Sequence, residues 1–530
     1  MAWPQPFSRL RALATALGLG VVLALAACDS QPAFDFTIVA GSENQALEPI
    51  VQDFCRTKGV TCTLAYQGSL DIGLSLRPGQ DRTVDAVWPA ASLWIDLFDS
   101  ARAVTHRRSI SQNPVVLGVR KAKAEELGWT KGPVTTKAIL EAVEAGRLRF
   151  FMTSATQSNS GSAAYLAMLA AARGKPLLEA ADLDDPDTLR QVRALLRGVE
   201  RSSGSSGWLA DLYLQETARG AVLDAMWNYE AVIKETNDAL RAKGKDVLWA
   251  VYPAEGVAVA DSPLGFVERG RDKAVEEFFV ALQAHLLSPE IQAQIAATGR
   301  RVALGGGQAK AEADWNFDPE RLVTAIPTPE PGVIRRALAL YQEALRRPSL
   351  TVLCLDFSGS MEGEGIYALR QALQFLFTPE RAAELLVQWS AADRIVVIPF
   401  SGRVGAVWDA AGTAEGQARL LAEALAWPVG GGTDIYACID EAYRQIERLR
   451  GSDNDYLPAI AVMTDGVSEG SADAFLAGRP GGGGAVPVFG VTFGNARRDA
   501  LDILAKGTGA RVFDGTKDLT GAFRSLRGYN

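Results

Sequence analysis

Short apolar runs recur along this chain, each ending in small or hydroxyl-bearing residues and each followed by a stretch with helical spacing. In "FTIVAGSENQALEPIVQDF" the positions 36–40 are β-rich, 41–44 are turn-like, and the apolar residues from 47 to 54 fall on one helical stripe. "TCTLAYQGS" and "VDAVWPAAS" repeat the strand-then-small-loop pattern, and "NPVVLGVRK" supplies another strand. "LRFFMTSATQSNSGSAAYLAMLAAARGK" reads as a strand, a hydroxyl-rich loop and an alanine-rich helix. "AVLDAMWNYEAVIKE" and "VLWAVYPAEGVAVADSPLGFV" continue with strand and loop character, and "AVEEFFVALQAHLLSPEIQAQIAATGRR" is helical. Such alternation predicts parallel strands with crossover helices, and ligands bound beyond the carboxyl ends of the strands.

Residues 315–348 break the rhythm: "IPTPEPGV" is Pro-rich and "IRRALALYQEALRR" is helical, which reads as a linker. From 349 onward a second α/β pattern begins. "LTVLCLD", "RIVVIPF", "PAIAVMTD" and "VPVFGVTFG" are continuous apolar runs, as expected of strands buried on both faces. Amphipathic stretches such as "IYALRQALQFLF" and "DIYACIDEAYRQIERL" separate them. The run "GRPGGGGAV" reads as a surface loop rather than a phosphate cradle. The expected fold class is α/β throughout, with a two-lobed unit over 34–314 and a doubly wound, Rossmann-like unit over 349–530.

The pieces "GSEN", "SNSGSAA", "YPAEGVAV" and "SPEIQAQIAATGRR", in this order, resemble the periplasmic solute-binding proteins of bacterial uptake systems. That resemblance implies two lobes around a cleft, with ligand groups on the loops that face it. The candidates are Ser42, Glu43, Trp88 and Ser92 on one lobe, and Asn159, Ser160, Ser162, Asn228, Tyr229 and Glu230 on the other. Ser160 and Ser162 at a helix start either donate to an anion or serve as N-cap residues. Glu43, Asp85 and Glu230 would oppose an anionic ligand if they faced the cleft, so the residues leave oxyanion, cation, small organic solute and no ligand open.

The second unit carries a more specific pattern. In "LCLDFSGSMEGEG" an apolar strand stops at Asp356, and Ser358 and Ser360 follow at alternate positions, which turns all three side chains to one side. Thr433 follows a glycine run in "PVGGGTDIY", and Asp465 ends the strand "AIAVMTD" as Asp356 ends its own. In a doubly wound sheet these strand ends share one edge. "DFSGS", "GGT" and "TDG" together resemble the von Willebrand factor A domain and its metal-ion-dependent adhesion site. Two carboxylates and three hydroxyls make an oxygen-only shell, which suits Mg²⁺, with Mn²⁺ as substitute, and does not suit zinc. The resemblance further implies a coordination position left for a Glu or Asp of a protein partner. Glu362, Glu364 and Asp434 nearby read as solvated loop charges.

Two catalytic readings compete. "GVSEG" after Asp465 matches a nucleophile elbow with Ser468 at its centre, but the hydrolase order places a histidine after the serine. The chain has 2 His, His106 and His285, and both precede it. An aspartyl-phosphate mechanism at Asp356 would call for an acid two positions on, where Ser358 stands, and no G-x-x-x-x-G-K-[ST] loop occurs. The expectation is a binding protein, not an enzyme.

Composition adds the compartment. The 530 residues are 22% charged with a formal net charge of -8, and no Lys/Arg tract is interleaved with aromatics, so nucleic acid is not an expected partner. Residues 1–27 have the form of an export signal: Arg9 and Arg11, an apolar run over 13–27, then Cys28. "LAAC" resembles the lipobox of bacterial lipoproteins, which implies acylation of Cys28, a short tether over 28–33 and a lipid anchor in the cell membrane, facing the periplasm or the exterior. An ordinary cleaved signal or a short anchor is the alternative. In an oxidising compartment Cys55 and Cys62, on either side of one turn, are expected to bridge, whereas Cys354 and Cys438 sit in apolar stretches and read as small hydrophobes. The expected function is an envelope binding protein that grips a protein partner through a metal, with the front unit as sensor or scaffold. The alternative is a transport receptor that captures a solute in front and docks a membrane component behind.

Overall fold

The computed structural model describes residues 34–529, apart from 81, 303–308, 451–455, 466–467, 469, 479–485, 494–497 and 517–518. The targeting segment, Cys28 and most of the "GRPGGGGAV" loop lie outside the described residues. No helix among the described residues is long and apolar enough to cross a membrane.

The first lobe is built on the strand Asp35–Gly41, which pairs in parallel with Thr61–Gln67 on one side and Ala86–Trp88 on the other. Pro263–Val267 and Val104–Ser109 complete this five-stranded sheet with antiparallel pairings. The second lobe centres on Asn113–Arg120, Ala225–Tyr229 and Phe150–Thr153. The chain crosses between lobes near 110–113 and 260–263, and returns to the second lobe again before Trp315. The sequence pattern predicts parallel strands alone. The antiparallel pairs arise where a strand enters a sheet directly from the other lobe, without the crossover helix that a parallel return needs.

The two lobes share apolar contact. Leu70 and Leu74 from the helix Ser69–Ser75, and Trp94 and Leu97 from Ser92–Phe98, leave the first lobe's sheet and join the core that Phe151, Tyr165 and Tyr229 form in the second. Residues 315–348 are not a free linker. Trp315 and Phe317 stack with centroids 4.7 Å apart, and Val333, Ile334, Ala337 and Leu338 of the helix Pro331–Leu340 enter that same core. The Tyr165 hydroxyl donates to Ala337 O at 2.8 Å. The prolines set the entry and the N1 position of this strap, while its helical stripe supplies apolar side chains that a solvated linker could not bury.

The rear unit is a six-stranded sheet whose central strand, Ser349–Asp356, is buried at every position. It runs parallel to Arg394–Phe400 and Leu457–Thr464; Val488–Thr492 and Val512–Asp514 extend the sheet, and Trp408–Ala411 is an antiparallel edge. Leu353 and Leu355 face the helices Glu364–Leu376, Ala414–Ala426 and Leu519–Arg527, whereas Val352 and Cys354 face Ile435–Arg450 and Asp499–Thr508. This two-residue period within a run that is apolar throughout is the signature of a sheet covered on both faces. At the junction with the strap, Asp393 is fully buried and accepts from Ser349 N at 2.7 Å and Arg346 Nη1 at 3.0 Å, with Arg527 Nη2 at 3.6 Å. Burial opposes its ionisation, but the two guanidiniums outweigh burial and hold its carboxyl below the ordinary value.

Cys55 and Cys62 are bonded, with Cα atoms 6.1 Å apart. Cys354 and Cys438 are bonded as well, which corrects their reading as unpaired hydrophobes. The helix Ile435–Arg450 lies on the Cys354 face of the central strand, so two thiols far apart in sequence meet in the core. Because this bridge closes a separation of 84 residues and the other only 7, replacing Cys354 and Cys438 with Ala is expected to cost about 2–4 kcal/mol. The cost at Cys55 and Cys62 is smaller. Urea unfolding followed by tryptophan fluorescence checks the order of the two losses.

Candidate functional site

At the carboxyl edge of the rear sheet, two adjacent parallel strands end in carboxylates. The extended turn after Asp356 brings Ser358 N to Asp356 Oδ1 at 2.8 Å, and Thr464 Oγ1 donates to Oδ2 at 2.5 Å. Ser358 Oγ and Ser360 Oγ lie 3.1 Å apart, and Ser360 Oγ donates to Asp465 Oδ1 at 2.8 Å. Four of the five expected residues thus form one hydrogen-bonded chain. Thr433 lies on the loop alongside: Gly359 N donates to Gly431 O at 3.0 Å, Gly430 N to Phe357 O at 2.8 Å, and Ser468 Oγ to Thr433 O at 3.2 Å. No hydrogen bond joins the Thr433 hydroxyl to the other four among the described residues. The glycine run has a structural reason, since Gly430 and Gly431 adopt φ of 156° and 89°, which a side chain would resist.

The charge balance of this cluster is unusual. Asp356 has 0% exposure, and among the described residues no Lys or Arg pairs with it or with Asp465. Burial raises the Asp356 carboxyl above its ordinary value; hydrogen bonds from Ser358 and Thr464 pull it down, and the neighbouring Asp465 pushes it up. Hydroxyls and a second carboxylate around a buried carboxylate form a donor set that a hard divalent cation fits. Among the described residues no group of three or more His, Cys, Asp or Glu is placed to hold a metal ion.

Thr464, directly before Asp465, escaped the sequence reading, although "MTDG" displays a hydroxyl beside the expected carboxylate. Ser468 is a brace: its hydroxyl accepts from Ile435 N at 3.1 Å while donating to Thr433 O. Glu362 and Glu364 are exposed, and Asp434 caps the start of its helix through Ala437 N at 3.0 Å.

In the front unit the ten candidate residues are engaged with the protein itself. Ser42 Oγ accepts from Gly207 N at 2.9 Å, and Glu43 Oε2 from Ser206 Oγ at 3.1 Å, both across the two lobes. Trp88 Nε1 donates to Ser262 Oγ at 3.0 Å, and Ser92 N to Asp261 Oδ1 at 2.7 Å. Asn159 accepts from Trp94 Nε1 at 2.9 Å and donates to the Tyr229 hydroxyl at 2.9 Å. Ser160 bonds Thr153 Oγ1 at 2.9 Å, and Ser162 donates to Ser158 O at 3.1 Å. Asn228 Nδ2 donates to Ser206 O at 2.9 Å. Glu230 is paired with Arg301 at 2.8 Å, and Asp85 with Arg269 at 2.7 Å. Ser42, Glu43, Asn159, Ser160, Asn228, Tyr229 and Glu230 are all buried. At Ser42 and Glu43 the expected cleft is a closed seam, while beside Asn159 and Ser162 it keeps a pocket faced by Ala91 and Leu93 of the first lobe.

Residues 36–301, just over half of the chain, match the family model of the bacterial extracellular solute-binding protein. No curated protein matches the chain. Among solved structures, the sulfate-binding protein SubI from Mycobacterium tuberculosis H37Rv is 17% identical with a TM-score of 0.39, over 51% of this chain and 88% of its own. The periplasmic molybdate-binding protein of Azotobacter vinelandii is 15% identical with a TM-score of 0.35, over 51% of this chain and 99% of its own. A von Willebrand factor type A structure from Catenulispora acidiphila is 16% identical with a TM-score of 0.29, over 35% of this chain and 43% of its own.

The seam is sensitive to protons at Glu43. Burial raises this carboxyl from 4.5 to about 7, more than the bonds to its own backbone and Ser206 and the charge of Arg300 lower it, and Oε1 has no hydrogen-bond donor among the described residues. The folded protein therefore holds this proton over a range where the unfolded chain has lost it. Stability falls as pH rises from about 4.5 toward 7 and is level above that, by up to about 3 kcal/mol from this group. Glu43→Gln is expected to flatten that slope and to be the more stable protein at pH 8, as read from urea midpoints across pH 4–8.

Proposed function

The chain belongs to the bacterial extracellular solute-binding protein family, and from that premise we propose that it is a binding protein of the cell envelope whose rear unit grips a protein partner through a divalent cation. In this reading the solute-binding fold serves as a closed scaffold. The rear unit is a von Willebrand factor A-type domain, and Asp356, Ser358, Ser360, Thr433 and Asp465 hold Mg²⁺ or Mn²⁺, directly or through water. The cation supplies a positive centre at the sheet edge. An acidic side chain of the partner completes its shell, and the hydroxyls of Ser358 and Ser360 orient the approach. Acylation at Cys28 would tether the scaffold to the membrane surface and leave the metal face free to reach a partner. The role is binding rather than catalysis, since Ser468 braces a loop and has no histidine after it in the chain.

The observation that carries this reading is the buried Asp356, solvated by hydroxyls and faced by Asp465 without a basic side chain among the described residues. Such an arrangement costs free energy unless a cation neutralises it. A second reading, solute capture between the front lobes with the rear unit docked on a membrane component, is favoured by the family match itself. The seam opposes it in the closed form, where Ser42 and Glu43 bond Gly207 and Ser206 across the lobes.

Calorimetric titration of the full chain with Mn²⁺ tests the first reading. One site is expected; Asp356→Ala abolishes it, and Thr464→Val, which removes a hydroxyl behind the shell, weakens it about 10- to 100-fold. Equal Mn²⁺ affinity in Asp356→Ala would overturn the proposal. Capture of a membrane partner that is lost with EDTA and in Asp356→Ala tests the partner's dependence on the metal.

A further inference from the structure

Three separate parts of the molecule meet at one point of the interlobe seam. From the first lobe comes the start of the helix Ser69–Ser75, where Leu70 N donates to Gln157 O at 3.1 Å. Gln157 belongs to the second lobe, in the loop before the helix Asn159–Arg173. From the rear unit comes the helix Leu519–Arg527, the last helix of the chain. Its Arg524 guanidinium pairs with Asp71 of the first lobe, while Arg524 O accepts from the Gln157 side chain of the second. One turn on, Gly528 O accepts from Ser202 Oγ at 3.0 Å. Arg524 and Gln157 are both buried here, with exposures of 7% and 1%.

The rear unit also touches each lobe at other points. Arg77 Nη1 donates to Glu384 O at 3.0 Å, which ties the first lobe to it. Arg201 Nη2 donates to Gly509 O at 2.7 Å, and Arg511 lies 3.9 Å over the Trp208 ring, which ties the second. Opening a two-lobed protein moves one lobe against the other about the crossings between them. A group bonded to both lobes cannot follow both. Asp71 and Gln157 would part, and Arg524 would have to leave one of them inside a region where an unpaired charge is costly.

We propose that the C-terminal helix is a clasp: by joining Asp71 of one lobe to Gln157 and Ser202 of the other, it holds the front unit shut, so that the lobes part only when the rear unit lets go. This adds an intramolecular partner, rather than a captured solute, to the interlobe packing that already favours the front unit's closed form. It does not depend on whether the rear unit binds a metal.

Hydrogen–deuterium exchange of the full chain tests it, because local opening sets the exchange of seam amides separately from those of distant strands. Arg524→Gln and, as a milder variant, Ser202→Ala are compared with the unsubstituted protein. For Arg524→Gln, exchange at Leu70 and Gly207, whose amides bond across the lobes, is expected to rise about tenfold or more, with a smaller rise in Ser202→Ala. Exchange over Leu353 and Leu355 in the rear sheet and over Val116 and Leu117 in the second lobe stays unchanged. Seam exchange that stays unchanged in both variants overturns the clasp. So does a rise in Arg524→Gln shared equally by the rear sheet, since the arginine would then serve only the rear unit's own stability.

Discussion

A carboxylate taken out of water needs compensation, and this protein supplies it in different ways at different places. Asp393 has Arg346 and Arg527 around it, and Glu230 has Arg301. Both are structural pairs whose charges are matched within the fold. Asp356 is as deeply buried and receives only hydroxyl and amide donors, with a second carboxylate close enough to raise its proton affinity further. Hydrogen bonds alone do not offset the transfer of a charge into a sheet edge, and repulsion from Asp465 adds to the cost. The contrast between Asp356 and Asp393, at the end of one strand and just before its neighbour, is between a buried carboxylate without a basic partner among the described residues and one that has two.

The front unit follows the opposite logic. Receptors of two lobes depend on a cleft whose polar groups have spare bonding capacity. Here the polar groups at the seam bond one another, and behind them Leu70, Leu74, Trp94 and Leu97 make the two lobes one apolar body. Separating those faces would expose large side chains at roughly 25 cal/mol for each Å² of apolar surface. Closure is therefore favoured by packing before any clasp or solute is considered. Glu43 is the exception within the seam, a carboxylate that burial keeps partly protonated near neutrality. It shows where the closed form carries a cost that a more open form would lose.

Much of this was readable in the chain. Apolar runs that end in Asp or Ser became strands whose carboxyl ends converge, and "DFSGS" with "TDG" placed four polar groups in hydrogen-bond contact because each motif is short and sits at a strand end. What could not be read depended on surroundings rather than on local pattern. The Cys354–Cys438 bond joins residues 84 apart, and nothing near either cysteine signals the other. The strap of 315–348 displays the prolines of a linker, and only a neighbouring core with room for Trp315 and Phe317 makes it structural. The cleft candidates lie at strand and helix ends; nothing in their local pattern signals the polar partners, such as Ser206, Gly207 and Arg301, that occupy them.

The last helix shows the same limit and connects the two halves of the molecule. "LTGAFRSLR" forms the amphipathic helix Leu519–Arg527, and the apolar pattern by itself does not say where its arginines go. Its apolar residues Leu519, Phe523 and Leu526 do enter the rear core, against the helix Glu364–Leu376 that begins at the oxygen-rich loop. Its arginines, however, are buried too, Arg527 over the Trp389 ring at 3.7 Å and toward Asp393, Arg524 against Asp71. A guanidinium is suited to such a place, since its flat face stacks while its edge pairs, and it cannot shed its charge readily when desolvated. One short helix is therefore fixed by packing on its rear side and by charge on its front side. Its contacts reach both the helix that begins at the oxygen-rich loop and the seam between the lobes, so a displacement of this helix would disturb both.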